Sequence, residues 1–234
     1  MKYQGSKNRH AKHLLKCFIE NGLYNQDVYI EPFVGGANMI DKVDSSIKRY
    51  GYDINPYLIA CLKSFSNGII PVHKATEESY KNIKNNKDYY DEAVVGYYGF
   101  ALSYGGKFFG GWCRDGEGKR DYVVEAYRNA EKQVPLLLDV NFECRDYRDI
   151  SIPENAFVYC DPPYEGTTEY SNKFNHQDFW NWCRKLSKNG TTVLISEYNA
   201  PSDFDILWEK KVTSSLTRDT GSKVATEKLF KYKG

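Results

Sequence analysis

The sequence lacks the features that mark several large classes of protein. Its 32 basic and 31 acidic side chains give a formal net charge of +1. A nucleic-acid binder that is positive over its whole surface is therefore excluded, although one face can still be basic. We find no signal peptide and no apolar run long enough to cross a bilayer. We therefore expect a cytoplasmic protein without a membrane partner.

Cysteine motifs and metal-ligand clusters are also scarce. The six cysteines include no C-x-x-C pair, and reduced thiols in a cytoplasm fit this pattern best. His10, His13 and Cys17 share one helical face, but a zinc site there would lack a fourth ligand. We therefore predict no metal.

The first sixty residues predict half of a doubly wound α/β sheet. An amphipathic helix over about residues 8–20 has an apolar stripe and ends at Asn21-Gly22. A buried strand and glycine turn, "VYIEPFVGG", follow, then a helix that "NMIDKV" should open, then a second strand that stops at Pro56. The predicted members of the helix stripe are Leu14, Leu15, Phe18 and Ile19.

The middle of the chain departs from this α/β rhythm. Residues 58–135 contain polar helical segments and a stretch with six glycines in eighteen residues, "SYGGKFFGGWCRDGEGKR". The rhythm resumes with "NFECRDYRDI", "AFVYCDPPY", a helix at "HQDFWNWCRKLSKNG" and a strand at "TTVLISEYN". We predict a core of residues 1–57 and 136–234, mostly parallel, closed by an antiparallel last strand at "VATEKLFKYK". Residues 58–135 form a mainly helical and loop insertion.

Three short stretches carry candidate chemistry, and the first is "EPFVGGANM". Glycines after a first strand let the backbone approach a ligand, and an acid such as Asp53 at the end of a second strand can bind ribose hydroxyls. The full G-x-G-x-x-G is absent and no cation lies nearby for a phosphate. S-adenosylmethionine fits better than a dinucleotide, while a simple tight turn at Gly35-Gly36 is the alternative.

The second stretch, "CRDYRD", follows the third strand-like run. The Asp146 carboxylate there could accept a hydrogen bond from an adenine amine while the Tyr147 ring packs nearby. Taken alone, this acid is better explained as a solvated residue in a loop.

The third stretch, "VYCDPPYEG", places a carboxylate, two prolines and an aromatic ring at the end of a strand. Two acceptors that face the hydrogens of a nucleobase amine would draw its nitrogen toward tetrahedral geometry. Asp161 can supply one acceptor and the Pro162 carbonyl the other, with its direction fixed by the proline rings. Tyr164 offers a face on which an extruded base can stack. The alternative is an Asp-Pro-Pro turn with a packing tyrosine.

In their order, these stretches resemble the Dam-like (alpha-group) adenine-N6 DNA methyltransferases. The matching elements are "KYQGSK", "EPFVGG" with Asp53, "RDY" at 145–147 and "DPPY" at 161–164, followed by "FNHQDFWNWCRKLSKNGTTVLISEYNAP" and "TEKLF". The resemblance implies the Rossmann-like sheet of a methyltransferase that depends on S-adenosylmethionine. One departure is Ala37-Asn38, where the family often has a further glycine; alanine is tolerated unless that residue needs a positive φ.

The resemblance also implies residue roles. The positions that it gives to cofactor binding are Tyr3, Lys7, Pro32, Phe33, Gly35, Asp53, Asp146, Tyr147 and Asp161. The positions that it gives to catalysis are Asp161, Pro162, Pro163 and Tyr164.

The insertion should supply target recognition, as it does in the family. Its glycine-rich stretch alternates aromatic rings with cations, which can read guanine or hold phosphates. The cations are Lys107, Arg114, Lys119 and Arg120, and the aromatic residues are Tyr104, Phe108, Phe109 and Trp112. The alternative is a surface loop whose aromatic rings pack back on the core.

The predicted function is methyl transfer from S-adenosylmethionine to the N6 amine of a flipped adenine in duplex DNA. The predicted partner is double-stranded DNA, in a bacterial or phage-infected cell, and the protein is a monomer or a weak dimer. An RNA base-amine methyltransferase, a catalytically silent DNA-binding subunit and a structural protein without a ligand stay open as alternatives. Restriction–modification, phage-borne and solitary settings are equally open.

Overall fold

The computed structural model describes residues 1–165, 174–214 and 223–234. The chain folds into two compact units. The first unit consists of Met1–Ala11 and Val34–Asp149, and the second unit consists of Lys12–Phe33 and Ile150–Gly234.

Seven strands and six α-helices lie within the described residues. The strands are β1 Val28–Glu31, β2 Lys48–Asp53, β3 Asn141–Cys144, β4 Ala156–Cys160, β5 Thr192–Glu197, β6 Phe204–Ser214 and β7 Lys223–Tyr232. The helices are α1 Ala11–Glu20, α2 Pro56–Ser66, α3 Glu77–Asn85, α4 Glu92–Gly96, α5 Tyr122–Leu137 and α6 His176–Lys188.

The strands of the second unit follow the order β1-β4-β5-β7-β6. The β4 strand is parallel to β1 and to β5, whereas β7 is antiparallel to both β5 and β6. All five residues of β4, "AFVYC", are buried. A continuous apolar run of this kind is typical of a parallel strand that is covered on both faces.

Two helices pack in the second unit through aromatic side chains. Phe18 of α1 lies 5.4 Å from Phe157 and 4.8 Å from Tyr159, measured between ring centroids. On α6, Phe179 and Trp180 are buried, and this helix contacts β5 and β7. The burial of these large rings removes apolar surface from water and is the main stabilising contribution here.

The first unit is built on the parallel pair of β2 and β3. Helix α2 begins at Pro56, with Asn55 as its N-cap, and contacts β2, β3, α4 and α5. Proline at the first helical position costs no hydrogen bond, because that N–H has no partner within a helix. The side chain of Asp53 therefore lies beside the short turn that joins the end of β2 to the start of α2.

The predicted α/β class, mostly parallel with an antiparallel last strand, is confirmed. The predicted first helix and the stop at Pro56 are also confirmed. The insertion of residues 58–135 stays a prediction; its proposed start falls inside α2.

Three details of the sequence interpretation are wrong. "NMIDKV" opens no α-helix: it contains only a 3-10 turn, Ile40–Lys42, and Asp44 then caps a further turn by accepting the N–H of Ser46. Ile19, expected in the apolar stripe, is 49% exposed. Strand β6 has no counterpart among the predicted elements.

The described part of the chain has no helix that is both long and apolar enough to span a membrane.

Candidate active site

The glycine turn and Asp53 are joined by hydrogen bonds in the first unit. Oδ2 of Asp53 accepts the N–H of Gly35 at 3.3 Å, and Oδ1 accepts the N–H of Asn55 at 3.0 Å. Burial raises the pKa of Asp53 to about 6, although the backbone N–H donors oppose this shift. The side chain is nevertheless partly exposed. Its remaining lone pairs can accept hydrogen bonds from a ligand.

The N-terminal turn lies against the glycine turn. Gly35 has a φ of +48°, and a Cβ added there would lie 2.8 Å from Cε1 of Tyr3. A Cβ added to Gly36 would lie 2.6 Å from the Cβ of Tyr3. The two segments named by the resemblance, "KYQGSK" and the turn after "EPF", are therefore in direct contact, and glycine is what permits this approach.

The residue at the departure from the family pattern has a left-handed backbone. Ala37 is fully buried with a φ of +56°, a conformation that costs a non-glycine residue about 1–2 kcal/mol. Its carbonyl accepts a hydrogen bond from Nε2 of Gln133 at 3.0 Å. Because this position has a positive φ, alanine is less favourable here than the glycine that the family often has.

Lys7 begins the 3-10 turn Lys7–Arg9, which Ser6 caps. Lys7 is 5% exposed, and its Nζ donates to the carbonyl of Gly5 at 3.0 Å. The amine is therefore held close to the N-terminal turn.

The Asp146 carboxylate forms a bidentate pair that the sequence pattern did not reveal. Nε and Nη2 of Arg148 each lie 2.8 Å from one of its oxygens. Hydrogen bonds from Arg148 lower the pKa of Asp146. Tyr147 is buried, and the Arg148 guanidinium lies 5.8 Å from its ring centroid. The signal available in the sequence was the arginine two residues after the acid, in "RDYRD".

The Asp-Pro-Pro-Tyr segment follows β4 in the second unit. Pro162 is buried, while Asp161, Pro163 and Tyr164 are partly exposed. The Tyr164 ring packs edge-on against Tyr198 with centroids 4.6 Å apart. This contact holds the ring at the end of β4.

The Tyr164 hydroxyl makes a further contact, which reaches β7. It donates to Oε1 of Glu227 at 3.5 Å. Burial, and then the charges of Asp161 and Glu227, raise the pKa of Tyr164 well above its ordinary value. The phenol therefore stays protonated at neutral pH.

Glu197, at the end of β5, is a second residue that the sequence pattern did not reveal. It is 2% exposed and accepts the N–H of Glu165 at 2.6 Å. Burial, with a smaller contribution from the charge of Asp161, raises its pKa to about 7. A single charged residue at the end of an otherwise uncharged strand, "TVLISE", was the available signal.

Pro32 and Phe33 follow β1 in the second unit. Pro32 is buried. The Phe33 ring packs edge-on against Phe174 at 5.8 Å and Phe179 at 5.7 Å. These contacts hold the partly exposed Phe33 ring in place.

The four predicted DNA-binding cations are exposed. Arg114 binds Glu77 through Nε at 2.9 Å and through a second, shorter contact of Nη2. Lys119 and Arg120 pair with Glu117 and Glu125, respectively. Binding of phosphate by any of these three would compete with its carboxylate partner.

Most aromatic rings of the glycine-rich stretch pack against other residues of the first unit, as the alternative interpretation predicted. Phe108 stacks on Tyr57 with centroids 5.7 Å apart, and Phe109 is buried beside Tyr80. The Trp112 ring lies 5.5 Å from the Tyr80 ring. Tyr104 differs, since 72% of it is exposed.

No group of three or more possible metal ligands occurs within residues 1–165, 174–214 and 223–234. His13, one of the three residues considered for zinc, instead stacks on Trp208 at 6.2 Å.

Comparison with known proteins gives one extensive match. The sequence matches the model of the family described as D12 class N6 adenine-specific DNA methyltransferase over residues 3–108 and 125–221. No curated protein matches it.

Among solved structures, the crystal structure of SMU.472, a putative methyltransferase complexed with SAH, shares 12% identity. The match covers 84% of this chain and has a TM-score of 0.31. The chain spans about half (52%) of the length of that protein.

Proposed function

We propose that this chain methylates adenine at N6 in duplex DNA, because it belongs to the family of D12 class N6 adenine-specific DNA methyltransferases. The methyl donor would be S-adenosylmethionine, and the target adenine would be flipped out of the helix. The observation that carries the proposal is the position of Asp161-Pro162-Pro163-Tyr164, directly after the buried parallel strand β4. The order of the motifs along the chain supports the narrower assignment to the Dam-like alpha group.

The donor would be bound by residues that fit its chemistry. The Asp53 carboxylate has lone pairs for the ribose hydroxyls, and the N–H groups of Gly35 and Asn55 hold it beside the glycine turn. Asp146 and Tyr147 would contact the adenine ring. The other positions proposed for this role are Tyr3, Lys7, Pro32, Phe33 and Asp161. When bound, S-adenosylmethionine supplies an electrophilic methyl group on a sulfonium.

The target amine would be oriented by Asp161 and Pro162. A nucleobase amine is a weak nucleophile, because its lone pair is delocalised into the ring. The Asp161 carboxylate and the Pro162 carbonyl would accept its two hydrogens, which favours tetrahedral geometry and frees the lone pair. Formation of the new N–C bond would be matched by cleavage of the bond between the methyl carbon and the sulfonium sulfur, which leaves S-adenosylhomocysteine. The nitrogen would give its extra proton to the Asp161 carboxylate. Catalysis would thus come from orientation and from preorganised acceptors.

Tyr164 would stack on the extruded base. Its ring is held edge-on by Tyr198, and its hydroxyl by Glu227, so the ring needs little ordering when a base binds. A preorganised aromatic ring contributes about 1–3 kcal/mol per stacked base.

Double-stranded DNA would contact the predicted recognition region, residues 58–135. The residues proposed to bind it are Lys107, Arg114, Lys119 and Arg120. Residues 109–124, which contain three of these cations, lie in the gap of the family match. We therefore propose that this stretch contributes specificity particular to this chain.

A labelling experiment tests the proposed function. Unmethylated genomic DNA is incubated with the protein and methyl-labelled S-adenosylmethionine, then sequenced by a method sensitive to modified adenine; Asp161→Ala runs in parallel. We expect label on adenine within one short motif, and none with the variant. No label in DNA, with or without label in a parallel incubation with RNA, or equal label with Asp161→Ala, would contradict the proposal.

A further inference from the structure

The loop after β4 offers few backbone donors to hold it in place. Pro162 and Pro163 have no N–H, so Tyr164 and Glu165 supply the next donors along the chain. The N–H of Glu165 donates to Oε1 of Glu197 at 2.6 Å. A side chain on the neighbouring strand therefore fixes the backbone immediately after the Asp-Pro-Pro-Tyr segment.

The Glu197 carboxylate uses both of its oxygens. Oε1 accepts from Glu165, and Oε2 accepts from the N–H of Tyr198. The side chain is 2% exposed, so water does not replace these donors. A carboxylate can accept at both oxygens, whereas a glutamine amide can accept at only one and presents N–H groups at the other position.

The neighbouring residue holds the aromatic ring of the same loop. Tyr198 packs edge-on against Tyr164 at 4.6 Å, and Glu227 of β7 accepts the Tyr164 hydroxyl. Glu197 thus holds the backbone at Glu165, and Tyr198 holds the ring of the preceding residue, Tyr164. Strands β4 and β5 are parallel, with Cys160 opposite Ile195, so Asp161 and Glu197 leave the sheet at the same edge.

We infer that Glu197 is a positioning residue for methyl transfer, which holds the loop of residues 161–165 so that Asp161, Pro162 and Tyr164 keep their orientation. The inference rests on the proposed function. Glu197 acts through Glu165 and Tyr198 and touches no substrate itself. Misplacement of a reacting group by about 1 Å costs about 100-fold in rate, and an untied diproline loop would permit such a shift.

The charge state of Glu197 should affect this role. The facing groups are Asp161, Tyr164 and Glu165 from the loop, Tyr198 from its own segment, and Glu227 and Lys228 from β7. The ionised carboxylate accepts both N–H groups, while a proton on one oxygen removes one acceptor site. The turnover number should therefore rise with pH, with a midpoint near the pKa of Glu197, about 7.

The test uses the full-length chain with Glu197→Gln, Glu197→Ala and a control, Glu209→Gln, which changes an exposed glutamate on β6. We expect kcat to fall about 100-fold in Glu197→Ala and about tenfold in Glu197→Gln, which loses one hydrogen bond. Affinity for S-adenosylhomocysteine should stay within about threefold, as expected when binding is not the step affected. The rise of kcat with pH should be absent in Glu197→Gln.

Hydrogen exchange of the peptide spanning residues 158–165 gives a readout that needs no activity. We expect faster exchange of the Glu165 amide in both Glu197 variants and no change in Glu209→Gln. If the wild type transfers no methyl group to DNA, the proposed function fails, and this exchange measurement still decides whether Glu197 holds the loop. If Glu197→Ala does not fold, Glu197→Gln provides the same comparisons.

Unchanged exchange, or a kcat of the Glu197 variants equal to that of Glu209→Gln, would overturn the inference. So would equal loss of kcat and of S-adenosylhomocysteine affinity, because that result indicates general disruption of the site. Tyr198→Leu, which removes the ring partner of Tyr164 but keeps the backbone N–H, should lower kcat without changing exchange at Glu165.

Discussion

The backbone N–H of Gly35 lies 3.3 Å from Oδ2 of Asp53, eighteen residues further along the chain. This bond ties the glycine turn to the end of β2. Because the N–H donates to a carboxylate, its strength depends on whether Asp53 is ionised. Burial raises the pKa of Asp53 to about 6, so the turn and the carboxylate respond to pH together within an accessible range.

The first prediction follows from this pKa. Ribose hydroxyls donate better to a carboxylate than to a carboxylic acid, so affinity for S-adenosylhomocysteine should rise from pH 5 to pH 7 with a midpoint of about 6. Asp53→Asn should bind more weakly and lose this pH dependence. Calorimetry at several pH values measures both. An identical pH profile in the variant would show that Asp53 is not the titrating group.

The second prediction concerns stability. Asp53 and Glu197 have pKa values raised from 3.8 to about 6 and from 4.5 to about 7. The folded state therefore binds protons more tightly than the unfolded state does, and this contribution to stability is present at low pH and lost as pH rises from about 4 to about 7. Urea unfolding at several pH values should show that the free energy of unfolding falls less with rising pH in Glu197→Gln than in Glu209→Gln. The difference should be clearest above pH 6. Equal declines would contradict this prediction.

The third prediction concerns the contact between α2 and α4. A Cβ added at Gly96 would lie 1.9 Å from the carbonyl oxygen of Tyr57. Glycine to alanine normally stabilises a helix interior by about 1 kcal/mol, but here the backbone must move. We expect Gly96→Ala to lower the free energy of unfolding by about 3 kcal/mol. Gly116→Ala, in open space, is the control, and stabilisation by Gly96→Ala would show that the two helices separate easily.

The fourth prediction concerns the three paired cations of the glycine-rich stretch. Replacement of Arg114, Lys119 and Arg120 by alanine should weaken DNA binding and reduce the slope of log K against log salt by up to about 3. Their ion pairs with carboxylates lie at the surface, so the free energy of unfolding should change little. Fluorescence anisotropy over a range of salt concentrations measures the slope.

The control for this variant changes three other exposed cations, Lys12, Lys16 and Lys48. Because both variants lose the same formal charge, a general electrostatic effect would weaken DNA binding equally in the two. Equal loss of affinity would therefore contradict the prediction that the glycine-rich stretch contacts phosphates.

The sequence was sufficient where a local pattern determines the structure. The apolar run "AFVYC" before two prolines predicts a buried strand that must stop, and β4 ends at Cys160. Likewise, Pro56 after Asn55 ends the second strand and begins α2.

It was insufficient where the partner is distant in the chain. Glu197 and Glu165 are 32 residues apart, and their bond depends on the register of β4 and β5. Strand β6 carries Glu209, Lys210 and Lys211 on an exposed edge, so it lacks the apolar run that identified β4. The pairing of Arg114 with Glu77 likewise depends on how two separate segments pack.

The last prediction tests whether catalysis passes through a covalent enzyme intermediate. Cys160 immediately precedes Asp161, and a thiolate there would be a candidate nucleophile. It is fully buried, and burial, followed by the neighbouring Cys183 thiol, raises its pKa well above the ordinary value. The thiol is therefore protonated at neutral pH and inaccessible, which opposes nucleophilic attack.

Cys160→Ala should accordingly keep methyl transfer, with a loss of stability of about 1–2 kcal/mol from the small cavity that it leaves. The matched control is Cys183→Ala, which empties the same region but lies on α6, away from Asp161 in the chain. Activity and urea unfolding are measured on both variants. If Cys160→Ala folds as stably as Cys183→Ala but transfers no methyl group, the thiol takes part in the reaction, and orientation of the amine by Asp161 and Pro162 is not a sufficient account of catalysis.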